Sequence, residues 1–253
     1  MITNESITEL ARRYQTSAFP NIVREYLQHL FLSSLYVLQG AEMLLFKGGT
    51  ALRIVYGSPR FSEDLDFSLF HVQPQETERF VEDLFIKVLA EIERSGIKTV
   101  LNDKSRQTVA GYFGAATFWV DQHPPVSVEI NVSGRNGRDI SGEVDSIAND
   151  FVPTYTLIHL PQDDIVEEKV FDALLRRKKP RDFYDLYFMM RKGMLSTAHR
   201  KHLAEYTERI LDDARHINFD AELGAFLPAS QQMIIRNFAQ TLAQELQRQI
   251  SMP

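Results

Sequence analysis

Two acids one residue apart, Asp64 and Asp66, lie in a stretch of alternating polarity. Upstream stands Gly48-Gly49-Thr50, and 13 residues separate Thr50 from Asp64. Residues two apart on a strand project from one face, roughly 7 Å apart along the backbone. The two carboxylates can therefore converge on one divalent cation, or on two bridged ones. Mg²⁺ (or Mn²⁺) favours carboxylate and phosphate oxygens and keeps several waters, so few protein ligands suffice. Two such ions about 4 Å apart would activate an attacking hydroxyl and stabilise a leaving pyrophosphate. The bland alternative is a pair of solvated acids on an exposed sheet face.

The glycines can serve the same chemistry. Amides at a helix start bind phosphate, and glycine removes the side chain that would block approach. Thr50 can cap the helix or donate its hydroxyl to a phosphate oxygen. A plain tight turn is the simpler reading. The pattern is not a Walker loop, because no Gly-Lys-Ser/Thr follows. A third carboxylate is available in Val126-Ser127-Val128-Glu129-Ile130-Asn131-Val132. Its apolar alternates face inward and Glu129 faces out, so Glu129 joins Asp64 and Asp66 if the two strands pair.

A second constellation lies further along. Val166, Val170, Ala173 and Leu174 form a helical stripe flanked by Lys169, a point charge able to reach phosphate. Asp182 and Asp185 are three apart and so neighbours on one helix face. They repel unless a cation such as Arg181, Lys169 or a metal lies between them. Alternatively, Asp182 only complements the helix dipole in its first turn. Arg176, Arg177, Lys178, Lys179 and Arg181 form the densest basic run of the chain and can hold an RNA backbone, with strong salt dependence. Equally, they can serve the last carbonyls of a helix. Lys104, Arg106, Arg135 and Arg138 are weaker candidates. The histidines show no metal-ligand spacing, and His199 and His202 read as surface residues.

The elements that must position these groups follow from periodicity. Residues 5–38 read as helix, 43–46 as a strand ending at the glycines, and 50–56 as a short helix stopped by Gly57 and Pro59. Residues 64–70 alternate as a strand. Residues 76–95 form a long helix ended by Gly96. Strands are expected at 97–101, 107–120 and 126–132, and 135–150 reads as a loop. After about residue 156 the pattern is helical: 163–178, 181–192, 196–212 and 229–250. This predicts domains at 1–155, carrying the sheet, and 156–253, helical.

Composition narrows the classes. The 253 residues are 44% hydrophobic and 25% charged, enough for a sizeable core. There is no cysteine, which excludes disulfides and thiolate zinc sites. A net charge of −6 argues against non-specific coating of nucleic acid. Neither a secretory signal nor an apolar run of about 18 residues is found, so the expected location is cytoplasmic, with no membrane partner.

Lys47-Gly48-Gly49-Thr50-Ala51-Leu52, with Arg60-Phe61-Ser62-Glu63-Asp64-Leu65-Asp66-Phe67, resembles the AbiEii/AbiGii toxin family of nucleotidyltransferases, which includes AbiE-type and MenT-like toxins. Glu168-Lys169, Ala173-Leu174, Arg177 and Arg181-Asp182-Phe183-Tyr184-Asp185-Leu186 are similar to its C-terminal motif. The blocks span about 45–190 of the chain. The resemblance implies an α+β fold: a small mixed, polymerase-β-like nucleotidyltransferase sheet with helices, followed by a helical domain. It implies transfer of a nucleoside monophosphate from a nucleoside triphosphate to an acceptor, with a tRNA 3′ end as acceptor and an antitoxin as partner. By the same resemblance Gly48, Gly49 and Thr50 seat the triphosphate, and Asp64 and Asp66 hold metal. Lys169 meets phosphate, and Asp182 or Asp185 completes the site. Where the family often has Asp as the third acid, this chain offers Glu129. Competing readings are an inactive nucleotide- or RNA-binding scaffold, transfer to a protein or small hydroxyl compound, and a phosphate-releasing hydrolase.

Overall fold

The computed structural model describes residues 2–103, 111–120, 123–134 and 140–251. Its elements are α1 (Asn4–Arg13), α2 (Val23–Leu35), β1 (Leu44–Lys47), α3 (Gly48–Ile54), β2 (Leu65–Leu69), α4 (Thr77–Arg94), β3 (Lys98–Asp103), β4 (Gly111–Trp119), β5 (Val126–Gly134), β6 (Glu143–Ile147) and β7 (Tyr155–His159). There follow α5 (Gln162–Glu167), α6 (Leu175–Arg177), α7 (Pro180–Lys192), α8 (Thr197–Arg215), α9 (Asp220–Phe226) and α10 (Phe238–Ile250). The chain forms two compact units, one of Met1–Gly57 with Phe61–Leu160, the other of Ser58–Arg60 with Pro161–Pro253. The fold is thus mixed α/β, with helices around one mixed sheet and a largely helical second unit.

In the first unit the strands lie in the order β3-β4-β5-β2-β1-β7-β6. The pairs β2–β5 and β1–β7 are parallel and the others antiparallel. The alternation of β2 and β5 sorts their side chains by face. Leu65, Phe67, Leu69, Val128, Ile130 and Val132 are buried. The helices α2 and α4 meet this layer: Phe31 packs edge-on to Phe85 at 5.3 Å, and Phe85 lies 6.3 Å from Phe67. The opposite face carries Asp66, Glu129 and Asn131, all partly exposed.

Three expectations for the first unit need correction. The helix read over 5–38 is broken into α1 and α2, because Phe19, placed before Pro20, is extended at φ −124° and ψ 137°. The region read as a loop over 135–150 holds the edge strand β6, whose Glu143, Val144, Asp145 and Ser146 are all exposed and so lack any buried alternation. A further strand, β7, crosses residue 156, where helix was expected to begin.

In the second unit α5 continues into a π-helical stretch, Glu168–Leu174, and then α6. Lys178 at φ 52° ends that run, and Pro180 opens α7 at a position where its missing N–H costs nothing. Phe183, Leu186, Met189 and Met190 of α7 are buried, as are Phe238, Leu242 and Leu246 of α10. Phe219 lies between Phe183 at 5.8 Å and Phe238 at 4.7 Å. Residues 229–237 form 3₁₀ turns rather than the start of α10, and α9 was not anticipated. His199, expected at the surface, is buried and accepts the Ser196 N–H, while His202 stacks on Phe171 at 4.0 Å.

Candidate active site

In the first unit β1 runs straight into α3 through Lys47 and Gly48. Gly48 sits at φ 84°, a left-handed conformation that glycine adopts without steric cost. A second constraint acts there: a Cβ on Gly48 would collide with the Asp66 carboxylate, its nearest carbons lying 2.9 Å away. Asp66 thus rests directly on the backbone of the turn. Lys47 faces Asp66 across the antiparallel β1–β2 pair and is 8% exposed.

Thr50 joins the same assembly from the other side. It is 1% exposed, and its hydroxyl donates to the backbone carbonyl of Asp64. The hydroxyl does not cap the helix, whose N-cap is Lys47; it ties α3 to the approach of β2. Around this approach Gln28 of α2 donates Nε2 to the Ser62 carbonyl at 3.0 Å, and Arg24 pairs with Glu63 at 3.2 Å. The first amides of α3 have no earlier helical carbonyl to bond, and Lys47 caps them with no side chain.

The parallel β2–β5 register sets Asp66 level with Asn131. Asn131 donates Nδ2 to Asp66 Oδ1 at 3.1 Å. Glu129 is two residues earlier on the same face of β5. Among the described residues no three Asp, Glu or His side chains gather as a metal cluster, so Asp64, Asp66 and Glu129 do not form a closed triad. Two hard carboxylates one residue apart nonetheless suit Mg²⁺ or Mn²⁺, which take most of their ligands from phosphate and water.

In the second unit Asp185 is at the centre of a buried ion cluster. Its carboxylate accepts Arg60 Nε at 2.9 Å and Nη2 at 3.1 Å, a two-pronged contact, and Lys169 Nζ at 2.8 Å. Burial alone would raise the Asp185 pKa; the nearby charges of Arg60 and then Lys169 outweigh it and hold the carboxyl below its ordinary range. Asp185 is 0% exposed, and both its carboxylate oxygens are engaged by these two cations. Lys169 lies on the π-helical stretch, with 12% of its side chain exposed.

Asp182 and Asp185 do not share one cation. Asp182 accepts Arg177 Nη2 at 2.7 Å and the Lys179 N–H at 3.3 Å, which makes it the reciprocal cap of α7. Arg181 pairs instead with Glu222 at 3.3 Å, Lys178 with Asp213 at 2.8 Å, and Arg176 with Asp172 at 3.0 Å. Lys179 is exposed at the start of α7. Lys104, Arg106, Arg135 and Arg138 lie outside the described residues.

Two polar residues escaped the sequence reading. Asn131 was visible as a polar alternate beside Glu129, but only the register shows that it faces Asp66. Arg60 was part of the motif, yet its partner lies 125 residues on.

The sequence profile of the nucleotidyl transferase AbiEii toxin family, of type IV toxin–antitoxin systems, matches residues 30–250. The chain belongs to this family and is a nucleotidyltransferase. The crystal structure of JHP933 from Helicobacter pylori is similar at a TM-score of 0.64 and 22% identity, over 93% of this chain and 93% of that one. A second H. pylori structure, described as a candidate nucleotidyltransferase, gives 0.58 and 20% over 91% of this chain and 97% of the other. At such identities the likeness is one of fold. No curated protein matches.

Proposed function

We propose that the chain transfers a nucleoside monophosphate from a nucleoside triphosphate to the hydroxyl at a tRNA 3′ end. The acceptor oxygen bonds to the α-phosphorus, the bond from that phosphorus to the bridging oxygen breaks, and pyrophosphate leaves. The hydroxyl proton passes to solvent. A cognate antitoxin, the partner implied by a type IV toxin, would restrain this activity in the cytoplasm.

The observation that supports this reading best is the locking of the glycine turn to the acids. Asp66 rests on Gly48, and Thr50 bonds the backbone of Asp64. A turn able to seat a triphosphate tail is thereby fixed against the Asp66 carboxylate and the backbone of Asp64, and such preorganisation is what phosphoryl transfer demands. Asp64 and Asp66 would hold Mg²⁺ or Mn²⁺, which when bound would activate the hydroxyl and offset charge on the pyrophosphate. Gly48 and Gly49 offer backbone to phosphate, while Thr50 positions Asp64. Lys169 is the candidate cation for the polyphosphate, by its match to the second motif. Asp182 and Asp185 act through others, as cap and as counter-ion. The run 176–181 is the candidate contact for the RNA backbone. Its exposed pairs, such as Arg176–Asp172, are worth only about 0–1 kcal/mol and yield readily to a phosphate.

Incubation with α-labelled nucleoside triphosphates, Mg²⁺ and total tRNA tests the proposal. The wild type should label RNA and release pyrophosphate. Asp64→Asn should do neither while melting at the wild-type temperature. Binding of nucleotide without label transfer by the wild type would replace the proposal with a binding scaffold. Label on protein, or release of orthophosphate, would redirect it to another acceptor or to hydrolysis.

A further inference from the structure

We propose that Arg60 is a positioning residue that neutralises Asp185 and so leaves the charge of Lys169 available to a polyphosphate. The inference rests on the proposed nucleotide transfer and extends it to a residue with no role there.

The argument is a count of charges in a nearly closed space. Arg60 and Asp185 are 2% and 0% exposed, and Lys169 only slightly more open. Among these three groups, two cations on one carboxylate sum to +1. With Arg60 absent, Asp185 would have Lys169 as its only partner in that cluster. The ammonium would then be spent on a buried carboxylate at 2.8 Å, and the cluster would present no net charge to a ligand. Arg60 holds Asp185 through a planar fork, a geometry a carboxylate satisfies with both oxygens. Lys169 needs only one of those oxygens, which leaves its remaining N–H donors to point elsewhere. Lys169 sits on the π-helical stretch, a local irregularity that often marks a working site. Arg60 itself is too buried to reach a substrate, so its effect must pass through its neighbours.

The test compares Arg60→Gln, Arg60→Lys, Lys169→Ala and the double variant Arg60→Gln/Lys169→Ala. Pyrophosphate release is followed against nucleoside triphosphate concentration with Mg²⁺ and tRNA. Binding of a non-hydrolysable triphosphate is measured in parallel. Arg60→Gln should raise KM for the triphosphate about tenfold or more, with a smaller change in kcat, and weaken analogue binding by a similar factor. Arg60→Lys, which keeps the charge, should recover much of that loss. In the Lys169→Ala background, Arg60→Gln should add little, because the two act in series. A merely structural role would lower the folded fraction and hence the maximal rate, and would leave KM alone. An unchanged KM in Arg60→Gln overturns the inference, as does a loss that adds fully to that of Lys169→Ala. Should the wild type neither bind the analogue nor release pyrophosphate, the proposed transfer itself fails, which is a separate outcome.

Discussion

Asn131 and Asp66 stand level across the parallel β2–β5 pair, joined by Asn131 Nδ2 donating to Asp66 Oδ1 at 3.1 Å. The amide orients the one carboxylate that also lies on the glycine turn. Asp66 is thereby constrained from two directions, by a neighbouring strand and by backbone.

If that restraint matters, Asn131→Ala should lower kcat about tenfold and shift the Mg²⁺ titration to higher concentration, as loss of a ligand-orienting partner commonly does. Stability should change little, because the residue is partly exposed. The readout is pyrophosphate release across a Mg²⁺ series. An unaltered metal dependence would leave Asn131 with no part in orienting Asp66.

The glycine turn permits a paired comparison. Gly48 and Gly57 have similar left-handed φ values, 84° and 77°. An added Cβ meets Asp66 at Gly48 and nothing within 4 Å at Gly57. Both Gly→Ala variants should lose roughly 1–2 kcal/mol to backbone strain. Only Gly48→Ala should also lose transfer, since the carboxylate must move. Equal residual activity per folded molecule in the two variants would show that contact between Asp66 and the turn is dispensable.

The turn and the acid pair were legible because their signals are local: glycine spacing, and a period of two along β2. What was not legible depends on pairing between distant segments. Asn131 faces Asp66 only through the β2–β5 register. Arg60 meets Asp185 across 125 residues. The strand β6 was hidden because its exposed edge shows no apolar alternation. Asp182 and Asp185 read as a pair from helical spacing, yet separate cations claim them, Arg177 for one and Arg60 with Lys169 for the other.

That separation gives Asp182 a distinct expectation. Its oxygens serve Arg177 and the Lys179 amide, so it stabilises the start of α7. Asp182→Asn retains an acceptor for the amide and should keep most of kcat. Asp182→Ala removes both hydrogen bonds from the start of α7 and should cost about 0.5–2 kcal/mol in denaturant unfolding, as loss of a helix cap does. A hundredfold fall in kcat for the Asn variant at unchanged stability would instead make Asp182 part of the chemistry.

The pH dependence of stability has a source away from the site. His29 is 3% exposed, and its Nδ1 lies 3.0 Å from the Tyr155 hydroxyl. Burial, aided by the charge of Arg53, pushes the His29 pKa down from 6.5 to about 3. The neutral ring therefore shares a hydrogen bond with the tyrosine hydroxyl at Nδ1. In the unfolded chain the same ring gains a proton near its ordinary pKa, while the folded state refuses it until about pH 3. The sign follows: the folded state is fully favoured above pH 6.5 and loses about 1.4 kcal/mol per pH unit as acid is added below it. His29→Gln keeps a hydrogen-bonding group for Tyr155 but does not titrate. The unfolding free energy of the wild type should therefore fall steadily relative to that of His29→Gln from pH 7 to pH 4, as read by urea unfolding at fixed ionic strength. Parallel curves over that range would mean that His29 takes its proton in the folded state as readily as in the unfolded one.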